Sequence, residues 1–193
     1  MIKGIFFDCG GVLWPSSSYS FFYDELTKIR KRNFSRERFW QLLHDDRALT
    51  EPFGTVDYLL RTDYKDIDTN AGEMTSIYKK IKIHKGVWDI AKELKKRGNL
   101  VGIISDQFAE TAKVTRDYED LSLLFDPILF SPEVGLCKND ERIFYKVGEM
   151  IKNRKNIRPE ELLMIDDNQN KLDKAISAGW KTILYKNPEQ LRE

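Results

Sequence analysis

Short apolar runs that end on polar residues alternate with longer segments whose apolar positions recur every three or four residues. The runs Ile2–Phe7 (apolar or Gly apart from Lys3), Leu100–Ile104, Pro127–Phe130, Leu162–Ile165 and Thr182–Tyr185 are too short for buried helices. They suit strands covered on both faces. Val87, Ile90, Ala91 and Leu94 predict a helix stopped by Gly98, and a polar helix is expected over 109–118. Phe144, Val147 and Ile151 mark another. Leu172, Ala175 and Ile176 are expected to face inward from a last helix that Gly179 ends. Strand and helix in alternation with short connections predict an α/β fold with a parallel sheet.

The stretch between Trp14 and Lys85 has a different texture. Ser16–Tyr19 reads as a loop and helix start, followed by Phe22, Leu26 and Ile29 at helical spacing. Ser35 is placed to cap a helix carrying Phe39, Leu42 and Leu43. Thr55 is placed to cap one carrying Val56, Leu59 and Leu60, and Met74, Ile77, Tyr78 and Ile81 mark a fourth. No strand is needed, so residues 15–85 are expected to form an all-helical insertion. Residues 1–14 and 86–193 then form the α/β core. The basic run Lys28–Arg32 reads as a solvated helix end.

Composition excludes more than it selects. A chain of 193 residues fits one domain, or one domain with an insertion. Charged residues make up 33%, yet Lys+Arg 32 against Asp+Glu 31 leaves a formal charge of +1. That balance gives no pull toward nucleic acid or an acidic membrane. The apolar runs are far shorter than a membrane span, and Asp8 interrupts the first too early for a signal peptide. Two cysteines, Cys9 and Cys137, suggest neither a disulfide framework nor a zinc set. A soluble cytoplasmic protein is the expectation, with monomer as the default state.

The chemistry lies where the strands stop. The first ends at Asp8, followed by Cys9 and the pair Gly10-Gly11; others end at Ser105-Asp106, Ser131 and Asp166-Asp167. Taken singly, these are ordinary turn residues or helix caps. In a parallel sheet, however, all strand carboxyl ends share one edge, where open α/β folds hold ligands. Carboxylates gathered there repel one another, and a hard divalent cation such as Mg²⁺ is the simplest relief. A metal, a hydroxyl and a glycine turn suit a phosphoryl group. His44 and His84 have no carboxylate or cysteine at ligand spacing and read as structural or surface residues.

These residues resemble a family. FFDCGGVLW is similar to the first motif of the haloacid dehalogenase-like (HAD) superfamily, and IISDQ to the second. GLCKNDERIF resembles the third and LLMIDDNQNKLDKAISAGWKTI the fourth, with the helical insertion where subclass I members carry a small cap. The resemblance implies a Rossmann-like core of strand order 5-4-1-2-3. It implies Asp8 as nucleophile forming an aspartyl-phosphate, and Mg²⁺ held by Asp8, the Gly10 carbonyl and Asp167. Asp166 would stand behind or through water, though the two acids could exchange roles. Phosphate would be held around Cys9, Gly10, Ser105 and Asp106, with Lys138 paired to Asp8 and the phosphoryl group.

Two departures stand out. Most phosphatases of this superfamily carry a second Asp two residues after the nucleophile as general acid and base, and here that position is Gly10. Asn139 follows Lys138 where Pro is usual and is expected to loosen that turn; Asp106, where Asn is frequent, is a smaller variation. The resemblance implies a Mg²⁺-dependent phosphatase of a small phosphorylated, sugar phosphate-like metabolite. A non-catalytic binding protein of the same fold and a metal-independent 2-haloacid dehalogenase are the alternatives. The acid pair Asp166-Asp167 argues against the last. Trp14, Tyr19 and Phe22 are placed either to line the pocket or to pack the hinge, and nothing in the insertion specifies a substrate.

Overall fold

The computed structural model describes residues 1–15, 18–30, 34–118 and 120–192. Ser16 and Ser17 of the expected loop, Lys31 and Arg32 of the basic run, and the side chain of Tyr19 lie outside the described residues.

Five strands form one parallel sheet: β1 (Gly4–Phe7), β2 (Leu100–Ser105), β3 (Ile128–Phe130), β4 (Leu162–Asp166) and β5 (Lys181–Leu184). Their order is β5-β4-β1-β2-β3, the order the family resemblance implies. Phe7 pairs in register with Ile103 on one side and Ile165 on the other. The polar residues that follow these strands therefore emerge together.

Between β1 and β2 lie α1 (Ser18–Arg30), α2 (Arg36–Leu43), α3 (Asp46–Thr50), α4 (Thr55–Thr62), α5 (Ala71–Tyr78) and α6 (Lys85–Lys96). After β2 come α7 (Ala109–Arg116) and α8 (Leu121–Leu124), and after β3 come α9 (Ser131–Val134) and α10 (Arg142–Lys155). The helix α11 (Gln169–Ser177) joins β4 to β5.

The pleat divides the core. Ile5, Phe7, Val101, Ile103 and Ile165 face one side, where Val87 and Ala91 of α6 pack on them. Phe6, Ile104, Leu162 and Met164 face the other, against Ile143, Phe144, Val147 and Ile151 of α10 and Leu172 and Ala175 of α11. This alternation is the period-two signature of a strand, and burial on both faces explains the unbroken apolar runs. The first cluster continues into the helical segment through Trp14, Leu26, Phe39, Leu59 and Met74. At the joint, His84 N–H donates to Leu13 O (2.7 Å), Trp14 Nε1 to Tyr78 Oη (3.0 Å) and Tyr118 Oη to Tyr78 O (3.2 Å).

Several local expectations need correction. Ile176, expected to face inward, is 52% exposed. Ser35 does cap α2, accepting from Arg38 N–H. Thr55 does not cap α4: Gly54 holds that position, and its N–H is taken by Glu110 of α7. No helix among the described residues is long and apolar enough to cross a membrane.

Candidate active site

After Phe7 the chain leaves the sheet through Asp8 into a wide turn over Cys9–Leu13, closed by Trp14 N–H donating to Cys9 O (2.7 Å). The two glycines differ in what they do. Gly10 has φ −65° and ψ 129°, open to any residue, whereas Gly11 has φ +76°, where a side chain is strained. A Cβ at Gly11 would also lie 1.9 Å from Asp167 Oδ2, so the second glycine brings the β1 and β4 ends together.

At the centre lies Lys138, which is fully buried. Its Nζ is 2.7 Å from Asp8 Oδ1 and 2.6 Å from Asp166 Oδ2. Burial disfavours the ammonium, but the two carboxylates outweigh that and raise its pKa. Burial acts on Asp8 as well and, although Lys138 opposes it, pushes that pKa up to about 6. Asp8 Oδ1 also accepts from Cys9 N–H (2.8 Å), so that N–H is turned to Asp8 itself. The Cys9 thiol is buried and held neutral, and Cys9 and Cys137 are both free thiols.

The two neighbouring acids differ. Asp166 is fully buried, with Oδ1 accepting from Asn168 N–H (2.9 Å) and Oδ2 on Lys138. Asp167 faces the cavity, where partial desolvation of its carboxyl together with the Asp166 charge raises its pKa. Asp8, Asp166 and Asp167 each offer an oxygen within 4.8 Å of the others. An all-oxygen, anionic donor set of this kind fits a hard divalent cation such as Mg²⁺.

The β2 end supplies Ser105, which lines the cavity, and Asp106. Asp106 Oδ1 accepts from Lys138 N–H (2.9 Å), while Oδ2 lies 2.9 Å from Lys171 Nζ. Burial opposes ionisation of Asp106, but Lys171 and Lys138 outweigh it and hold the carboxyl below its usual range. The turn expected to be loosened by Asn139 is thus pinned by Asp106, with Asp140 N–H donating to Cys137 O (3.0 Å). Ser131 has a structural part: its hydroxyl accepts from Gln107 N–H and donates to Gln107 O.

A cavity of about 580 Å³ opens over these groups. Asp8, Gly10, Ser105, Asp106, Asn139, Asp167 and Lys171 form its polar end, and Trp14, Phe22, Leu43, Leu49, Tyr78 and Phe108 line it with apolar surface. Trp14 and Phe22 therefore both pack in the core and face the cavity. His44, read from sequence as structural or surface, is a cavity residue stacked on Trp40 with ring centroids 3.8 Å apart. Lys171 is a cavity residue that carries no signal in the sequence, where a lysine near the start of a helix is commonplace.

The chain is similar to known proteins of one family. The family model for haloacid dehalogenase-like hydrolases matches residues 2–179. Pyrophosphatase PpaX of Bacillus cereus is 26% identical over 133 residues, covering 64% of this chain and 60% of that protein. The chain spans about half the length of the curated relatives it matches. A HAD family enzyme from Bacteroides thetaiotaomicron, solved with magnesium and inorganic phosphate, superposes with a TM-score of 0.66 at 19% identity, covering 96% of this chain and 95% of that one. A solved dehalogenase superposes with a TM-score of 0.64 at 20% identity, over 94% and 83%. With its strand order, its motifs and this match over nearly its whole length, the chain belongs to the haloacid dehalogenase-like hydrolase family.

Proposed function

We propose that this hydrolase is a Mg²⁺-dependent phosphatase of a small phosphorylated metabolite, acting through an aspartyl-phosphate on Asp8. The observation that carries the reading is the buried Asp8–Lys138–Asp166 chain, with the cavity-facing Asp167 beside it. Residues 15–85 would act as the cap that encloses the substrate. Asp8, the Gly10 carbonyl and Asp167 would hold the metal, and Asp166, with both oxygens already bonded, would orient Lys138 and the loop. Bound there, Mg²⁺ supplies charge neutralisation between the carboxylates and the phosphoryl oxygens.

Asp8 would attack phosphorus in line. A bond forms from its carboxylate oxygen as the bond to the departing oxygen breaks, and that oxygen leaves with the electron pair. Lys138 would help to keep Asp8 ionised and balance charge on the phosphoryl group, and the Ser105 hydroxyl, at the cavity wall, would donate to it. Water would then attack phosphorus as the bond to the Asp8 oxygen breaks, its proton passing to solvent, so that phosphate leaves and Asp8 returns to a carboxylate. A dehalogenase would use the same Asp on carbon, and the carboxylate cluster gives that reaction no help. The pyrophosphatase relatives bring phosphoric anhydrides, whose departing phosphate carries charge well, into the substrate range to be tested.

Asp8→Asn should leave the protein folded and reduce hydrolysis of every phosphoester and anhydride in a panel to below about a tenth of wild type. Residual activity above that level contradicts the covalent route, and turnover of 2-chloropropionate without Mg²⁺ would favour the dehalogenase.

A further inference from the structure

The proposed chemistry employs Lys138 and leaves Lys171 without a part. Lys171 stands on the first turn of α11, its side chain 12% exposed, and it lines the cavity. An ammonium has three donors, yet among the described residues only Asp106 Oδ2 approaches this one, at 2.9 Å. Among the same residues, Asp106 Oδ2 in turn has no partner besides Lys171. Asp106 is anchored independently of Lys171, its Oδ1 accepting from Lys138 N–H. The cavity, about 580 Å³, has the size of a small-molecule site and admits more than one phosphoryl group.

We propose that Lys171 is a specificity-determining residue that receives a second anionic group of the substrate, a carboxylate or a further phosphate, while Asp106 stands in for that anion in the free protein. This rests on the reading of Asp8 as phosphoryl acceptor. Preferred substrates then carry two anionic groups, and Asp106 competes with the second of them for the ammonium. The competition gives the proposal a signature of opposite signs. Removing Lys171 abolishes the preference, whereas removing the Asp106 charge strengthens it. A pair that only braces the fold would make both changes harmful alike.

The test is calorimetric binding with Mg²⁺ in the full chain carrying Asp8→Asn, which prevents turnover. The probes are ethyl phosphate, phosphoglycolate and pyrophosphate; the last two separate a carboxylate from a phosphate as the second anion. At least one of them should bind about tenfold or more tighter than ethyl phosphate. Lys171→Met should bring that ratio close to one, Lys171→Arg should retain most of it, and Asp106→Asn should raise it. Because Lys171→Met leaves Asp106 buried and unpaired, the double variant D106N/K171M is measured beside it and should also show a ratio near one. A ratio near one without these changes, or equal losses in Asp106→Asn and Lys171→Met, overturns the proposal. A Lys171-dependent ratio in a protein that hydrolyses nothing would instead overturn the phosphatase reading alone.

Discussion

At the scale of single residues, the site sets opposing charges against burial. Asp8 must be ionised to attack and to hold a metal, and burial has moved its pKa up to about 6 despite Lys138. The sign follows directly: above that pH the carboxylate is available, and below it a proton competes with the metal. Mg²⁺ affinity should be level near neutrality and weaken by up to about tenfold per pH unit below the pKa of Asp8. Calorimetric titration across this range checks it, and an affinity independent of pH contradicts it. Gly10 gives a second prediction. With no acid there, rates should depend steeply on how well the leaving group carries charge, so acyl, aryl and sugar 1-phosphates should outpace glycerol phosphate. The backbone at Gly10 admits a side chain, so Gly10→Asp should flatten the plot of log kcat/KM against leaving-group pKa. A flat wild-type plot would mean that another group protonates the leaving oxygen. Asp8, Ser105 and the acid pair were legible in the sequence because each ends an apolar run. Lys171 and His44 were not: one reaches the cavity from α11 and the other from the residue that ends α2, and the sequence specifies the orientation of neither helix.

At the scale of elements, β1, β2 and β4 read well because burial on both faces makes each a continuous apolar run between polar ends, whereas the edge strand β5 is half-exposed. Helices of at least two turns also read well. The single turns α3, α8 and α9 did not, since four or five residues show no helical period. Nor did Gly54 in place of Thr55 as the start of α4, because there a side chain of α7 satisfies the turn. Sheet order came only from the family resemblance; nothing local in a parallel strand names its neighbour. The second face of the sheet turns on Phe6, whose ring lies 5.2 Å from Trp180, itself 5.6 Å from Phe144. Phe6→Ala should cost about 3–5 kcal/mol, read as a lower denaturation midpoint at unchanged slope. A loss below about 1 kcal/mol would mean the neighbouring rings close the gap.

At the scale of the whole molecule, the helical segment and the sheet share one hydrophobic cluster through Trp14, and hydrogen bonds that include His84–Leu13, Trp14–Tyr78 and Tyr118–Tyr78 fasten the joint. Thermal unfolding should therefore be one transition, with far-ultraviolet dichroism and tryptophan fluorescence coincident. Two separated transitions would show that the helical segment melts alone. The central claim is that this shared scaffold holds Asp8 as a phosphoryl acceptor. It is tested most directly by acid-quenching wild-type protein during turnover of acetyl phosphate with Mg²⁺ and mapping the peptide that contains Asp8 by mass. One phosphoryl group should appear on Asp8, absent without Mg²⁺ and absent in Asp8→Asn. Turnover with unmodified Asp8 at every quench time, together with an Asp8→Asn protein that still hydrolyses the substrate, would contradict that claim.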